Sequence, residues 1–126
     1  MKYIKREYCG FEIDGQTYDG GMISFVNSMC IQNMSTYKGR LDASKVILNR
    51  SSNLPVYVNE NICLFPTESI RNYGCFLVNV HQVLHVKSNG KKSCIIIFYD
   101  LSVIKVSVSK VVIDRQLTFS RCLIDF

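Results

Sequence analysis

Lys38, Arg40, Lys45 and Arg50 form the densest cationic run of the chain, and Lys87, Lys91 and Lys92 flank an Asn89-Gly90 turn. Lys110, Arg115 and Arg121 recur along the last segment. Clustered Lys and Arg attract phosphodiesters at long range and bind them by releasing the counterions that screen a nucleic acid. Any one of these residues is ordinarily a solvated surface charge, so the pattern gains meaning only where the fold gathers them. The tip Asn89-Gly90-Lys91-Lys92 is narrow, polar and cationic, the form of a loop that probes a groove.

Other chemistries find less material. His81 and His85 lie four apart on a segment that reads as a strand, which sets their α-carbons roughly 13 Å apart, too far to share one small ion. Cys63 and Cys75 are not the tight pair of a structural zinc site. No glycine elbow or oriented acid marks a Cys–His nucleophile, and no glycine-rich phosphate loop occurs. With ten acids and no paired carboxylates among them, the sequence reads as a binder rather than an enzyme, with no metal and no cofactor expected.

The elements that must position these cations belong to one domain over residues 1–126, long enough to bury a core without staples. Hydrophobic residues make up 48% and charged residues 20%, a globular balance that excludes a disordered tail. The net charge of +5 is uneven: residues 1–34 hold three basic and four acidic groups, and residues 35–126 hold twelve and six. The longest apolar run, Cys94 to Tyr99, is far too short to span a membrane, and no signal-peptide block follows the charged start. A cytosolic protein is expected. Its six cysteines are then reduced and mostly core fillers, and its two Asn-x-Ser matches are accidental.

Residues 2–14 read as one or two short strands ending in an Asp14-Gly15 hairpin turn, and Asp19-Gly20-Gly21 as a second turn before a strand over 22–27. A helix is expected over 36–48, capped by Ser35 or Thr36, with Tyr37, Leu41, Ser44 and Leu48 on its inner face. Gly39 costs such a helix about 1 kcal/mol against Ala, so it either marks a late start or admits another backbone. Short strands follow at 55–58 and 62–65, the second ended by Pro66. One long strand is expected from Phe76 to Val86, then a two-residue hairpin loop, a fully buried strand over 93–99, and an alternating strand over 103–108. The spacing Lys110, Asp114, Thr118, Arg121, Asp125 is the polar stripe of a closing helix over 110–124, capped by Ser109. Its side-chain pairs would be Lys110 with Asp114 and Arg121 with Asp125.

The order of several pieces resembles the ComK family of bacterial competence transcription factors. These are Cys30, the run Ser35-x-Tyr37-x-Gly39-Arg40, Pro55 opening a strand, Phe65-Pro66-Thr67 with Ser69, Cys75 opening a longer strand, and Gln116 in the final helix. The chain departs from that pattern in having no tryptophan, Leu77 standing where the family has one, and in a basic residue displaced from just after Gln116 to Arg121. The resemblance implies an oligomeric activator of DNA-uptake genes that binds AT-rich sites through minor-groove shape. It implies functional positions at Gly39 and Arg40, the guanidinium suiting a narrow negative groove.

The reading is therefore an α+β domain: a mostly antiparallel sheet with one helix near 36–48 and a C-terminal helix near 110–124. It binds AT-rich duplex as a homodimer or larger, makes no membrane contact, and uses Lys38, Gly39, Arg40, Lys45, Arg50, Lys91, Lys92, Arg115 and Arg121. Lys38, Arg40, Lys91, Lys92 and Arg121 should gather on one side. The alternative is a protein-interaction module that keeps the fold without DNA.

Overall fold

Asp14 and Gly15 both take positive φ (49° and 92°) and reverse the chain in two residues, joining β2 (Phe11–Ile13) to β3 (Gln16–Tyr18). The Asp14 carboxylate then accepts from the Lys2 and Tyr3 amides (2.8 and 3.0 Å), which fixes β1 (Tyr3–Arg6) beside β2. In the computed structural model, which describes Met1–Phe126, these strands begin a six-stranded antiparallel sheet ordered β3-β2-β1-β6-β5-β4. Its other members are β4 (Val56–Asn59), β5 (Ile62–Pro66) and β6 (Phe76–Asn79).

Strand alternation divides that sheet into two faces. Ile4, Val56, Val58, Leu64 and Leu77 face one way and pack with Met22, Val26 and Cys30. Cys63, Phe65 and Val78 face the other way, toward a second sheet and the last helix. The second sheet is β7-β8-β9, from β7 (Val83–Ser88), β8 (Cys94–Phe98) and β9 (Val103–Val106).

The segment expected to be a strand at 22–27 is instead a helix, α1 (Met22–Gln32). Its buried residues, Met22, Val26 and Cys30, recur every four, the period of a helical face rather than of a strand. Helix α2 (Tyr37–Leu48) starts where expected: Thr36 is its cap, accepting from the Gly39 amide at 2.9 Å, and Asn49 ends it in the left-handed region.

The stretch from Phe76 to Val86 is not one strand. Asn79 is buried at 1% exposure, and its amide donates to the carbonyls of Met1 (3.0 Å) and Asn61 (3.1 Å). Its oxygen accepts from the Cys63 and His81 amides, both at 3.3 Å. A single 3₁₀ turn (Val80–Gln82) follows, and the chain leaves the first sheet for the second. The β7–β8 connection is also longer than two residues. It runs Asn89–Ser93, closed by Asn89 N–H to Ser93 O at 3.1 Å. Strand β8 is buried on one face only, through Cys94, Ile96 and Phe98.

Helix α3 (Lys110–Ile124) matches the sequence reading in its bounds and its Ser109 cap. The Lys110–Asp114 pair forms at 2.6 Å, whereas Arg121 and Asp125 do not pair. Its inner face buries Ile113, Leu117 and Leu123, and Gln116 donates from Nε2 to the carbonyls of Asn53 (2.8 Å) and Pro66 (3.0 Å). Helices α2 and α3 meet around β4, the edge strand, where Ser44 Oγ–H donates to Pro55 O at 2.7 Å. The edge is thereby covered against pairing with other chains. No helix is long and apolar enough to cross a membrane.

Candidate nucleic-acid interface

The β7-β8-β9 sheet has one face in the core and one in solvent. Val86, Cys94, Ile96, Phe98, Ile104 and Val106 point inward. Their alternates point outward in two cross-strand rows set by register: Lys87–Ile95–Lys105 and His85–Ile97–Val103. Adjacent strands lie about 4.8 Å apart, so Lys87 and Lys105 stand about 10 Å from each other on either side of Ile95. A bulge between Val83 and His85 turns Leu84 out beside them, and Leu84 and Val103 are 47% and 58% exposed. The surface is thus two half-exposed isoleucines framed by lysines.

No acidic residue lies between Val83 and Tyr99 or within β9. Asp100, in the turn after β8, is spent on Lys2 (2.9 Å) and Ser102; their hydrogen bonds pull its carboxyl down to about 2. The tip is held by Ser93 Oγ–H to Asn89 O (2.6 Å) and Ser88 Oγ–H to Gly90 O (3.2 Å), with Gly90 at φ 89°. Lys91 and Lys92 lie at it, both exposed. Beside β7, Arg121 shares a cleft of about 200 Å³ with Leu84 and His85, and with the Lys110–Asp114 ion pair. Lys91, Lys92 and Arg121 therefore lie on the same sheet or along its margin, together with Lys87 and Lys105. None of these five pairs with an acid.

Helix α2 lies against the opposite face of the first sheet, so its cations do not join them. Lys38 and Lys45 are exposed there, Lys45 within 3.9 Å of Asp42. Arg50 lays its guanidinium on the Phe119 ring at 4.3 Å, and Arg115 is exposed one helical turn before that ring. Arg40 sits over Tyr57 at 5.6 Å and donates from Nη2 to Asn33 O at 3.4 Å. Gly39 neither marks a late helix start nor admits another backbone. A Cβ there would lie 3.1 Å from Thr36 Oγ1 and 3.3 Å from Ser35 Oγ, so the glycine leaves room for the cap. The Tyr37 amide donates to Asn27 Oδ1 at 2.9 Å. The run Ser35 to Arg40 is thus the joint between α1 and α2.

The ComK protein family matches residues 12–124, nearly the whole of this architecture. The chain belongs to the ComK family. That family is one of competence transcription factors, not of enzymes. No curated protein and no solved structure matches the chain.

The cysteines and histidines of this ComK family member lie apart. Cys30, Cys63, Cys75 and Cys94 are buried, and burial pushes each thiol up, Cys63 to about 12. No three His, Cys, Asp or Glu side chains converge. His81 sits half-buried in the 3₁₀ turn and His85 exposed on the sheet, so the two do not share a strand face. Sequence reasoning missed Lys105 and underused Lys87. Alternation in Val103-Ile104-Lys105-Val106 marks Lys105 as outward, but only the pairing register sets it across Ile95 from Lys87.

Proposed function

We propose that this ComK family member is a cytosolic DNA-binding activator of competence genes that lays the outer face of β7-β8-β9 along an AT-rich duplex. The observation that carries the reading is the acid-free outer face, with Lys87, Lys91, Lys92 and Lys105 on it and Arg121 at its margin. Lysines on either side of Ile95 straddle a groove about 6 Å wide and reach phosphates on both strands. Such contacts fix position without reading bases. Ile95 and Ile97 would meet the groove floor, and sequence preference would come from the narrow, negative minor groove of AT tracts. Lys38, Lys45 and Arg115, off this face, add to the field that draws DNA in. Action as a dimer or larger assembly follows from the family resemblance.

The test is fluorescence anisotropy of an AT-rich duplex across a salt series. Five phosphate contacts give a slope of log K against log salt of about −4.5, and Lys87→Ala or Lys105→Ala each reduces it by about 1. A chain that fails to bind the duplex in dilute buffer refutes the reading. Exposed Leu84, Tyr99, Leu101 and Val103 favour the second reading, a protein-interaction module, in which retention is weak and flat with salt.

A further inference from the structure

Where α2, β4 and α3 meet at the covered edge there is a cavity of about 280 Å³. Its wall is mostly apolar, with Ala43, Ser44 and Ile47 from α2, Tyr57 from β4, Leu123 and Ile124 from α3, and the exposed Phe126 just beyond that helix. The charged side chain in that wall is Arg40. No carboxylate lies within ion-pair distance of it. Its one hydrogen bond is the long contact from Nη2 to Asn33 O; Nε is shut off from solvent without a partner, as it also is in Arg50, so a ligand would meet the Nη edge of the fork. A guanidinium carries five N–H donors in a planar fork, and a buried donor left unpaired costs free energy. The Tyr57 face, 5.6 Å away, offsets part of the charge but accepts no hydrogen bond from Nε.

We infer that this cavity is a binding site for a small amphipathic carboxylate, whose headgroup pairs with Arg40 and whose short apolar chain or ring fills the space between α2 and α3. The fork geometry matches a carboxylate through two parallel N–H···O bonds. The volume, at the lower end for small-molecule pockets, limits the tail to a short one. The site does not depend on the duplex-binding reading: although α3 also carries Arg121, none of the residues lining this cavity belongs to the outer face of β7-β8-β9.

The test is titration of the full chain with hexanoate and 3-phenylpropionate, followed by calorimetry and by the ¹³C shift of the labelled carboxyl. Hexanol and hexylammonium serve as controls. The expected result is one site per chain for the carboxylates, an affinity rising about fourfold per methylene from butanoate to hexanoate, and no carboxylate-like response to the controls. Arg40→Lys keeps the charge but loses the fork, and weakens hexanoate at least tenfold. Ala43→Phe fills the cavity while keeping the Arg40 guanidinium in the chain, and abolishes binding. Each variant is first checked for its circular dichroism and melting transition, and the two fail to fold for different reasons if at all. Equal binding of hexanol, no binding of the carboxylates at tens of millimolar, or unchanged affinity in either folded variant overturns the assignment.

Discussion

Replacing Asn79 with Ala tests the corner on which the proposed interface depends. The amide makes four hydrogen bonds: to the carbonyls of Met1 and Asn61 at 3.0 and 3.1 Å, and from the amides of Cys63 and His81 at 3.3 Å. Asn61 is exposed and Met1 half-exposed, so water can replace the side chain at those two carbonyls. Cys63 is buried, and its N–H would be stranded. Counting about 1 kcal/mol for each of the two shorter bonds and a further 1–2 for the stranded amide gives a loss of about 3 kcal/mol. For a chain of this length that lowers Tm by about 10 °C. Urea unfolding should show a lower midpoint with an unchanged slope, since the area exposed on unfolding is the same. Hydrogen exchange should accelerate first across residues 80–83, where the chain changes sheets. A Tm within 3 °C of the parent, or exchange accelerated uniformly, would refute the claim that Asn79 locks the corner.

Three further outcomes follow from the same geometry. Cys9 and Cys122 are exposed and the other four cysteines buried, so a thiol reagent at pH 8 should modify two sites quickly and four more only on unfolding, counted by mass spectrometry. Asp100 has its folded pKa pulled from 3.8 to about 2 by hydrogen bonds from Ser102 and Lys2. A depressed folded value means its stabilisation is complete above about pH 4 and is lost as the pH falls toward 2, so Tm curves of parent and Asp100→Asn should converge over that window. Parallel curves would contradict it. Thr36→Ala should cost about 1 kcal/mol through loss of the α2 cap. Gly39→Ala should be near neutral alone, because the helix propensity gained is offset by crowding of the Thr36 oxygen, and should become stabilising in the Thr36→Ala background. Additive effects in that double-variant cycle would dissociate Gly39 from the cap.

The helices α2 and α3 were legible because each carries a local start signal, Thr36 and Ser109, that the structure uses as a cap. Helix α1 was not, since Gly21 gives no side-chain cap and the run Met-Ile-Ser-Phe-Val suits a strand until its burial period is known. The break at Asn79 was hidden in an apolar stretch, because the hydrogen bonds that make it come from Met1 and Asn61, far away in sequence. The candidate interface divides in the same way. Lys91 and Lys92 announce themselves at a turn, whereas the placement of Lys105 opposite Lys87 is a fact of register. Gly39 and Arg40 were visible as a pair, but their positions belong to a helix joint and a cavity wall rather than to the sheet face.

The cations of this chain separate into those the fold employs and those it leaves alone. Arg50 covers Phe119, Arg40 closes a cavity, Lys2 holds Asp100 and Lys110 holds Asp114. Lys87, Lys91, Lys92 and Lys105 form no ion pair, although Lys105 lines a cleft that also holds Glu68 and Lys5. Two such charges about 10 Å apart repel by about 0.4 kcal/mol in water, and less in salt. Burying one inward side chain of the same sheet, Ile96 or Phe98, is worth about 2 kcal/mol. The fold therefore tolerates the charge pattern easily and gains nothing from it. A polyanion laid across the sheet would turn each of those small repulsions into an attraction while leaving the buried face untouched.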